Sequence, residues 1–394
     1  MNGFRLQSLL STRGFWLAVY VGAALAPLFV LAVVETPAKW GVGWDLGIGL
    51  GFAGLIMMGI QFLLTARFRT ATAPFGLDLI YYFHRYLAYV LLVVVIGHPV
   101  ILIAIDPALW SMLNPLAAPW PIAAGVVSLW LLLILVVASA GRQQLRIPYR
   151  VWKYTHLLLA IGAVILAFVH LHGIGYYSGT PLAKWLWNII GLSLIAAVAR
   201  NHLWRPWQLS RRPYRVSDLK RMPGDTWLLV VEPEGHDGIR FLPGQFAWLV
   251  LRGSPFAMQE HPFSIASSPQ AGPRLEFAIK ERGKFTRGLG NIQKGETAYV
   301  DGPYGVFSMD HYPQAAGYVF IAGGIGLAPI MSMLRALADR NDQRHHVLIA
   351  AHAQWDRIPL RDELHALKDR LNLAVVHVLE QPPEDWTGER GWLE

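Results

Sequence analysis

Four histidines in the first half of this sequence share one spacing. Thirteen residues separate His84 from His98, and thirteen separate His156 from His170. Fourteen positions are close to four turns of an α-helix, so each pair lies on nearly one face, about 21 Å apart along the axis. All four sit in long apolar stretches, where a polar side chain is costly and usually faces a site inside a helix bundle. A single such histidine reads as a helix–helix hydrogen bond, but four at a repeated spacing read as ligands. Two neutral imidazoles above and below a porphyrin make an axial haem site, and two such levels make an electron path through an apolar medium. Zinc fits less well, because each level offers two nitrogens and no Cys or carboxylate to complete a tetrahedron. The spacing assigns His84 and His156 to an inner iron and His98 and His170 to an outer one. His172 points to another face and reads as a rim residue, and His202, among Arg and Trp, as an interfacial one.

A second chemistry-bearing region lies beyond residue 260. Gly323-Gly324-Ile-Gly326-Leu-Ala-Pro329 follows an apolar strand pattern and opens a helical one. Glycines there let backbone amides approach an anion on the positive end of the helix dipole. As a bare string the turn is weak evidence, and an ordinary tight turn is the alternative. Upstream, His261-Pro262-Phe263-Ser264 offers flat surfaces and a hydroxyl to a heterocycle, while Lys280 and Thr286 offer donors to a phosphate. The competing reading is a Pro-terminated strand followed by a basic hairpin.

The elements that must position these residues follow from composition. Of 394 residues 54% are hydrophobic and 15% charged, which excludes a disordered tail or small module. The net charge of +8 lies wholly in residues 1–210, with 13 Lys/Arg against four acids, while the remainder is near neutral. These cations alternate with long apolar runs instead of clustering on a polar face, so membrane topology explains them better than nucleic-acid binding. Zero Cys excludes iron–sulfur clusters and covalently attached c-type haem. Six spans are expected, at about 15–34, 46–65, 79–105, 119–140, 151–172 and 182–200. The first reads as a retained span and not a cleaved signal. Arg5, Arg13, Arg67, Arg69, Arg142, Arg146, Arg150, Lys153 and the arginines after 200 fall on one side, against only Lys39 and Lys184 on the other. The N-terminus and everything after residue 200 are therefore expected in the cytoplasm. After residue 213, strands at 227–231, 246–251, 274–279 and 296–300 suggest a small antiparallel barrel. A buried strand at 318–322, helices at 330–340 and 360–370, and strands at 347–351 and 373–378 suggest a parallel α/β sheet.

With the doubled His spacing, His261-Pro-Phe-Ser264, Gly302-Pro-Tyr-Gly305 and the Gly-Gly-Ile-Gly turn, nearly the whole chain resembles the ferric reductase and NADPH oxidase superfamily. The resemblance implies a membrane α-helical bundle of six spans with two b-type haems (1–210), a cytoplasmic antiparallel β-barrel for FAD (211–312) and an α/β domain for NADPH (313–394). It implies that His261 to Ser264 meet the flavin, with Ser264 near its reactive nitrogen. Lys280, Gly283 and Thr286 would hold the FAD pyrophosphate, and Gly323, Gly324 and Gly326, with Pro329, the NADPH pyrophosphate. His352 and Arg357 are candidates for the 2′-phosphate.

Three departures stand out. Ala328 takes a position where many relatives have Thr, and the specificity stretch Ala-His352-Ala-Gln-Trp-Asp-Arg357 has no familiar pattern. The family's closing Cys-Gly-Pro segment is absent, so an incomplete NADPH domain is expected, with hydride entry impaired. The expected function is electron transfer outward to dioxygen, giving superoxide, or else to a ferric chelate. A non-redox receptor or transporter with a nucleotide-sensing module is the alternative from another class, and a quinone-linked carrier is a third reading. An inside-negative potential of 100 mV would favour moving one electron fully outward by about 2.3 kcal/mol. A bacterial plasma membrane is the expected location.

Overall fold

A computed structural model describes residues 13–33, 41–67, 76–175 and 178–392. Arg5, Lys39, Arg69 and the end of the chain after Trp392 lie outside the described residues. The chain divides into two compact units, Met1–Asn201 and His202–Glu394.

The first unit is helical: α1 (Arg13–Val33), α2 (Val42–Thr65), α3 (Leu77–Ile105), α4 (Trp120–Ala140), α5 (Tyr149–Ile174) and α6 (Pro181–Ala199). Among the described residues, five helices are long and apolar enough to cross a membrane: α2 to α5 and the helical run Pro181–Ser210. Their interior is a cluster of Met57, Met58, Leu91, Leu132, Leu135 and Val136. Large apolar side chains such as Val93, Leu158 and Leu192 point outward. An apolar exterior over an apolar core suits lipid as the solvent, where helices satisfy their own backbone groups. Ser128 Oγ on α4 donates to Ala163 O on α5 at 2.7 Å, tying this pair together.

The second unit contains two sheets. The first is antiparallel and six-stranded, built from β1 (Tyr214–Met222), β2 (Thr226–Pro233), β3 (Phe246–Leu251), β4 (His261–Ser264), β5 (Leu275–Lys280) and β6 (Thr297–Tyr304), in the order β4-β3-β6-β1-β2-β5. Leu229, Val231, Leu249, Ile265, Phe277 and Val300 fill its core. The second sheet is parallel, in the order β10-β9-β8-β7, with β7 (Gly317–Gly323), β8 (His345–His352), β9 (Leu373–Leu379) and β10 (Glu389–Arg390). Helices α7 (Leu327–Asp339) and α8 (Arg361–Leu367) make the crossovers, as parallel pairing requires. β7 differs from the buried strand expected at 318–322. Phe320 and Ala322 are buried against α7, but Val319 and Ile321 are 67% and 63% exposed. Successive side chains face opposite sides of a sheet, and among the described residues only one face of β7 packs into this core.

Candidate functional site

The membrane-unit site is built on α3 and α5. The rings of His84 and His156 have centres 6.3 Å apart with planes at 54°. Those of His98 and His170 are 6.2 Å apart at 73°. Two metal–imidazole bonds of about 2 Å each, plus the two ring radii, give about 6 Å between ring centres, so both separations suit a single metal between the rings. Hydrogen bonding then decides which nitrogen is available. His98 Nδ1 lies 2.8 Å from Gly47 O and His170 Nδ1 lies 2.9 Å from Pro121 O. A carbonyl only accepts, so both Nδ1 atoms carry the proton and both Nε2 lone pairs remain for a ligand.

His156 reaches the same state through a side chain. Ser139 Oγ donates its one hydrogen to Leu135 O at 2.6 Å and accepts from Trp152 Nε1 at 3.1 Å. Its remaining lone pair accepts from His156 Nδ1 at 3.0 Å. His84 is the exception: its Nδ1 is buried without a partner, while Gln61 Nε2 donates to His84 O at 3.2 Å and leaves Gln61 Oε1 unpartnered. His172 is exposed and stacks on Phe168 at 6.3 Å, away from the paired rings. Among the described residues no three His, Cys, Asp or Glu side chains converge as a metal cluster would require. The donor set at each level fits a planar ligand with two open axial positions, which is what a porphyrin iron presents.

In the second unit, the Gly323–Gly326 turn joins β7 to α7. Gly324 has φ +52°, a left-handed conformation that side chains disfavour, and a Cβ built on Gly323, Gly324 or Gly326 would meet nothing within 4 Å. The turn thus faces open space, as a pyrophosphate cradle must. Pro329 lies in the first turn of α7, where its missing N–H removes no helical bond. Ala328 is buried beside it.

A cleft of about 190 Å³ opens beside the turn, lined by Thr226, Lys280, Gly324, Ile325, His352 and Arg357 among others. His352 and Arg357 therefore meet at one place, but neither presents a free cation there. His352 is 8% exposed, and burial pushes its imidazole down to about 4, with His377 and Lys280 adding to the shift, so it is neutral at pH 7. Arg357 is ion-paired to Asp225, whose importance the sequence alone did not signal. Lys280, expected at the flavin phosphates, lines this nucleotide-side cleft.

The flavin-side residues lie along β4 and the helical turn Lys284–Arg287. β4 pairs with β3, setting His261 opposite Leu249 and Ser264 opposite Phe246. The His261 ring stacks on Phe285 at 3.7 Å and 23°, and Phe263 lies parallel to Phe285 at 6.1 Å. Pro262 between them is exposed. Thr286 closes the neighbouring turn: its Oγ1 accepts from Arg282 N at 2.8 Å and Gly283 N at 3.0 Å, and its hydroxyl donates to Gly283 O at 3.2 Å. Thr286 thus shapes the loop, whereas the sequence suggested a direct phosphate donor. Glu281 accepts from Trp227 Nε1 at 2.7 Å and from Arg221; these bonds hold its carboxyl below the usual carboxylate range.

Comparison with known proteins follows the same division. Residues 50–168 match the family described as "Ferric reductase like transmembrane component", residues 214–308 an "FAD-binding domain" and residues 320–394 an "Oxidoreductase NAD-binding domain". Together they define a transmembrane oxidoreductase with a module for FAD and NAD(P)H. In this order the three matches are the domain architecture of the ferric reductase and NADPH oxidase superfamily. It is 34% identical over 169 residues to "Ferredoxin--NADP reductase B" of Sorangium cellulosum (strain So ce56), a match covering 41% of this chain and 67% of that one. It is 31% identical over 172 residues to "Sulfhydrogenase 2 subunit gamma" of Pyrococcus furiosus, covering 42% of this chain and 58% of the relative. With "NADH-cytochrome b5 reductase 1" of Laccaria bicolor it shares 36% over 139 residues, 33% of this chain and 44% of that protein. The chain thus spans two thirds of the first of these relatives and about half of the other two.

Proposed function

We propose that the chain moves electrons from cytoplasmic NADPH, by way of FAD and two b-type haems, to dioxygen on the far side of the membrane, giving superoxide. The observation that carries this reading is the two histidine levels, with ring centres 6.3 and 6.2 Å apart and three of the four Nδ1 atoms tied to acceptors. FAD, when bound, would supply the conversion between a two-electron hydride donor and a one-electron haem acceptor. His84 with His156 and His98 with His170 would hold the irons, with Nε2 free for this on His98, His156 and His170. His261, Pro262, Phe263 and Ser264 would line the flavin ring. Gly283 and the turn closed by Thr286 would meet its phosphates, with Lys280 between them and the nucleotide. Gly323, Gly324, Gly326 and Pro329 would seat the NADPH pyrophosphate, and His352 and Arg357 would flank its adenosine end.

The reading takes α1 as a sixth span, with the N-terminus and everything after residue 200 in the cytoplasm of a bacterial cell. It divides the chain at 1–210, 211–312 and 313–394, and closes the six-stranded sheet into a barrel. The bridge between Ile265 and Phe277 supports that closure. A second acceptor, a ferric chelate, is favoured by the family match over residues 50–168. Stopped-flow reoxidation of NADPH-reduced, full-length protein distinguishes them: faster haem reoxidation by dioxygen than by ferric citrate supports the oxidase, and the reverse order supports the ferric reductase. No haem reduction by NADPH or NADH would reject both.

A further inference from the structure

The outer histidines are seated in the same way on two different helices. His98 Nδ1 bonds to Gly47 O on α2, and His170 Nδ1 bonds to Pro121 O on α4. Four residues beyond each of those carbonyls stands a glycine, Gly51 and Gly125. A Cβ on Gly51 would lie 3.0 Å from His98 Nδ1, and a Cβ on Gly125 would lie 2.7 Å from His170 Nδ1 and 2.9 Å from its Cγ. The geometry of a helix explains the spacing. The carbonyl of residue i faces the N–H of residue i+4, and the Cβ of i+4 leans back toward the helix N-terminus, over that carbonyl. Any side chain at i+4 would therefore stand between the carbonyl and an imidazole reaching for it.

The inner pair is held differently. His156 uses Ser139 Oγ, and His84 Nδ1 has no partner. No described glycine has either inner ring among the nearest atoms that its Cβ would meet.

We propose that Gly51 and Gly125 are positioning residues for the outer haem ligands, leaving one carbonyl open on each helix so that His98 and His170 are held in a fixed rotation with Nε2 toward the iron. This rests on the di-haem reading above. Because the carbonyl bond sets both ring rotation and imidazole basicity, disturbing it changes properties of the metal as well as the packing.

The test compares Gly125→Ala and Gly51→Ala with Gly54→Ala in full-length protein purified in detergent. A Cβ on Gly54 would press on Val95 Cγ2 at 2.6 Å, an equally tight helix contact that involves no histidine. Haem per chain, the low-spin ferric electron paramagnetic resonance spectrum and the midpoint potential of each haem are read for all three. Gly125→Ala is expected to halve the haem content, or to shift the resonance and potential of one haem while the other stays at its wild-type values. Gly51→Ala should move the same haem by a smaller amount, in keeping with its longer contact. Gly54→Ala should leave both signals in place. If Gly125→Ala does not accumulate, Gly51→Ala carries the test. Unchanged signals in the glycine variants that accumulate, or an equal change in Gly54→Ala, would overturn the proposal. Wild-type protein without any bis-imidazole haem signal would overturn the functional reading and this proposal with it, an outcome seen before any variant is made.

Discussion

Replacing Ser139 by alanine should loosen one haem and spare the other. The hydroxyl has one hydrogen, used on Leu135 O, and its lone pairs accept from Trp152 Nε1 and His156 Nδ1. Alanine leaves both N–H groups without an acceptor in an apolar bundle, and an unsatisfied buried donor costs about 1–3 kcal/mol. His156 and Trp152 are only half-buried, so the lower part of that range applies, about 1–2 kcal/mol in total. At 1.4 kcal/mol per decade this corresponds to about 5- to 30-fold weaker retention of the inner haem, overlapping the lower end of the about 10- to 100-fold range for partners that orient metal-bound histidines. The outer ligands rest on Gly47 and Pro121 carbonyls and should not respond. Haem per chain after extended washing, with a spectroscopic redox titration, reads both effects. Ser139→Thr, which keeps the hydroxyl, should restore the inner component. Unchanged haem content and potentials in Ser139→Ala, or loss of the outer component instead, would refute the tautomer argument.

Three further perturbations bear on the second unit. Asp225→Asn should free the Arg357 guanidinium and lower KM for NADPH relative to NADH by about 2- to 5-fold, the yield of breaking an exposed ion pair; an equal change for both nucleotides would remove Arg357 from 2′-phosphate recognition. Gly324→Val places a β-branched residue at φ +52° and fills the open cradle. It should slow flavin reduction by NADPH at least tenfold with FAD still bound, and normal reduction kinetics would contradict the pyrophosphate role. Burial lowers His352 from its ordinary 6.5 to about 4 and lowers His346 and His377 as well. Between those pH values the unfolded chain binds a proton that folded His352 refuses, so stability falls on acidification, by up to about 1.4 kcal/mol per pH unit from this group, and His346 and His377 act in the same direction. Flavin release on heating should therefore occur at progressively lower temperature from pH 6.5 to 4.5, and His352→Asn should flatten that slope; an unaltered slope would mean the ring is protonated in the fold.

Sequence pattern revealed those elements whose side chains repeat with the period of the backbone. The apolar runs gave α2 to α5 to within a few residues, and the doubled histidine spacing placed four imidazoles in two facing pairs. β1 escaped notice because Arg215, Asp218, Lys220 and Arg221 mask its alternation, although Tyr214 and Val216 are buried. The acceptors of the histidines divide in the same way. Ser139 and Gln61 are polar side chains within apolar spans and could have been suspected from composition alone. Gly47 and Pro121 act through backbone carbonyls, which no residue type advertises. Arg357 and Lys280 were visible as cations, but their surroundings were not. Asp225 lies 132 positions from Arg357, and only the fold brings them into contact.

Counting haems in the full-length protein and in four single histidine variants shows whether the four imidazoles hold two irons in pairs. Wild type should contain two b-type haems per chain. His98→Ala and His170→Ala should each remove the same one, and His84→Ala and His156→Ala the other. One haem or none in the wild type, or His98→Ala and His170→Ala removing different haems, would contradict the paired-ligand path across the membrane.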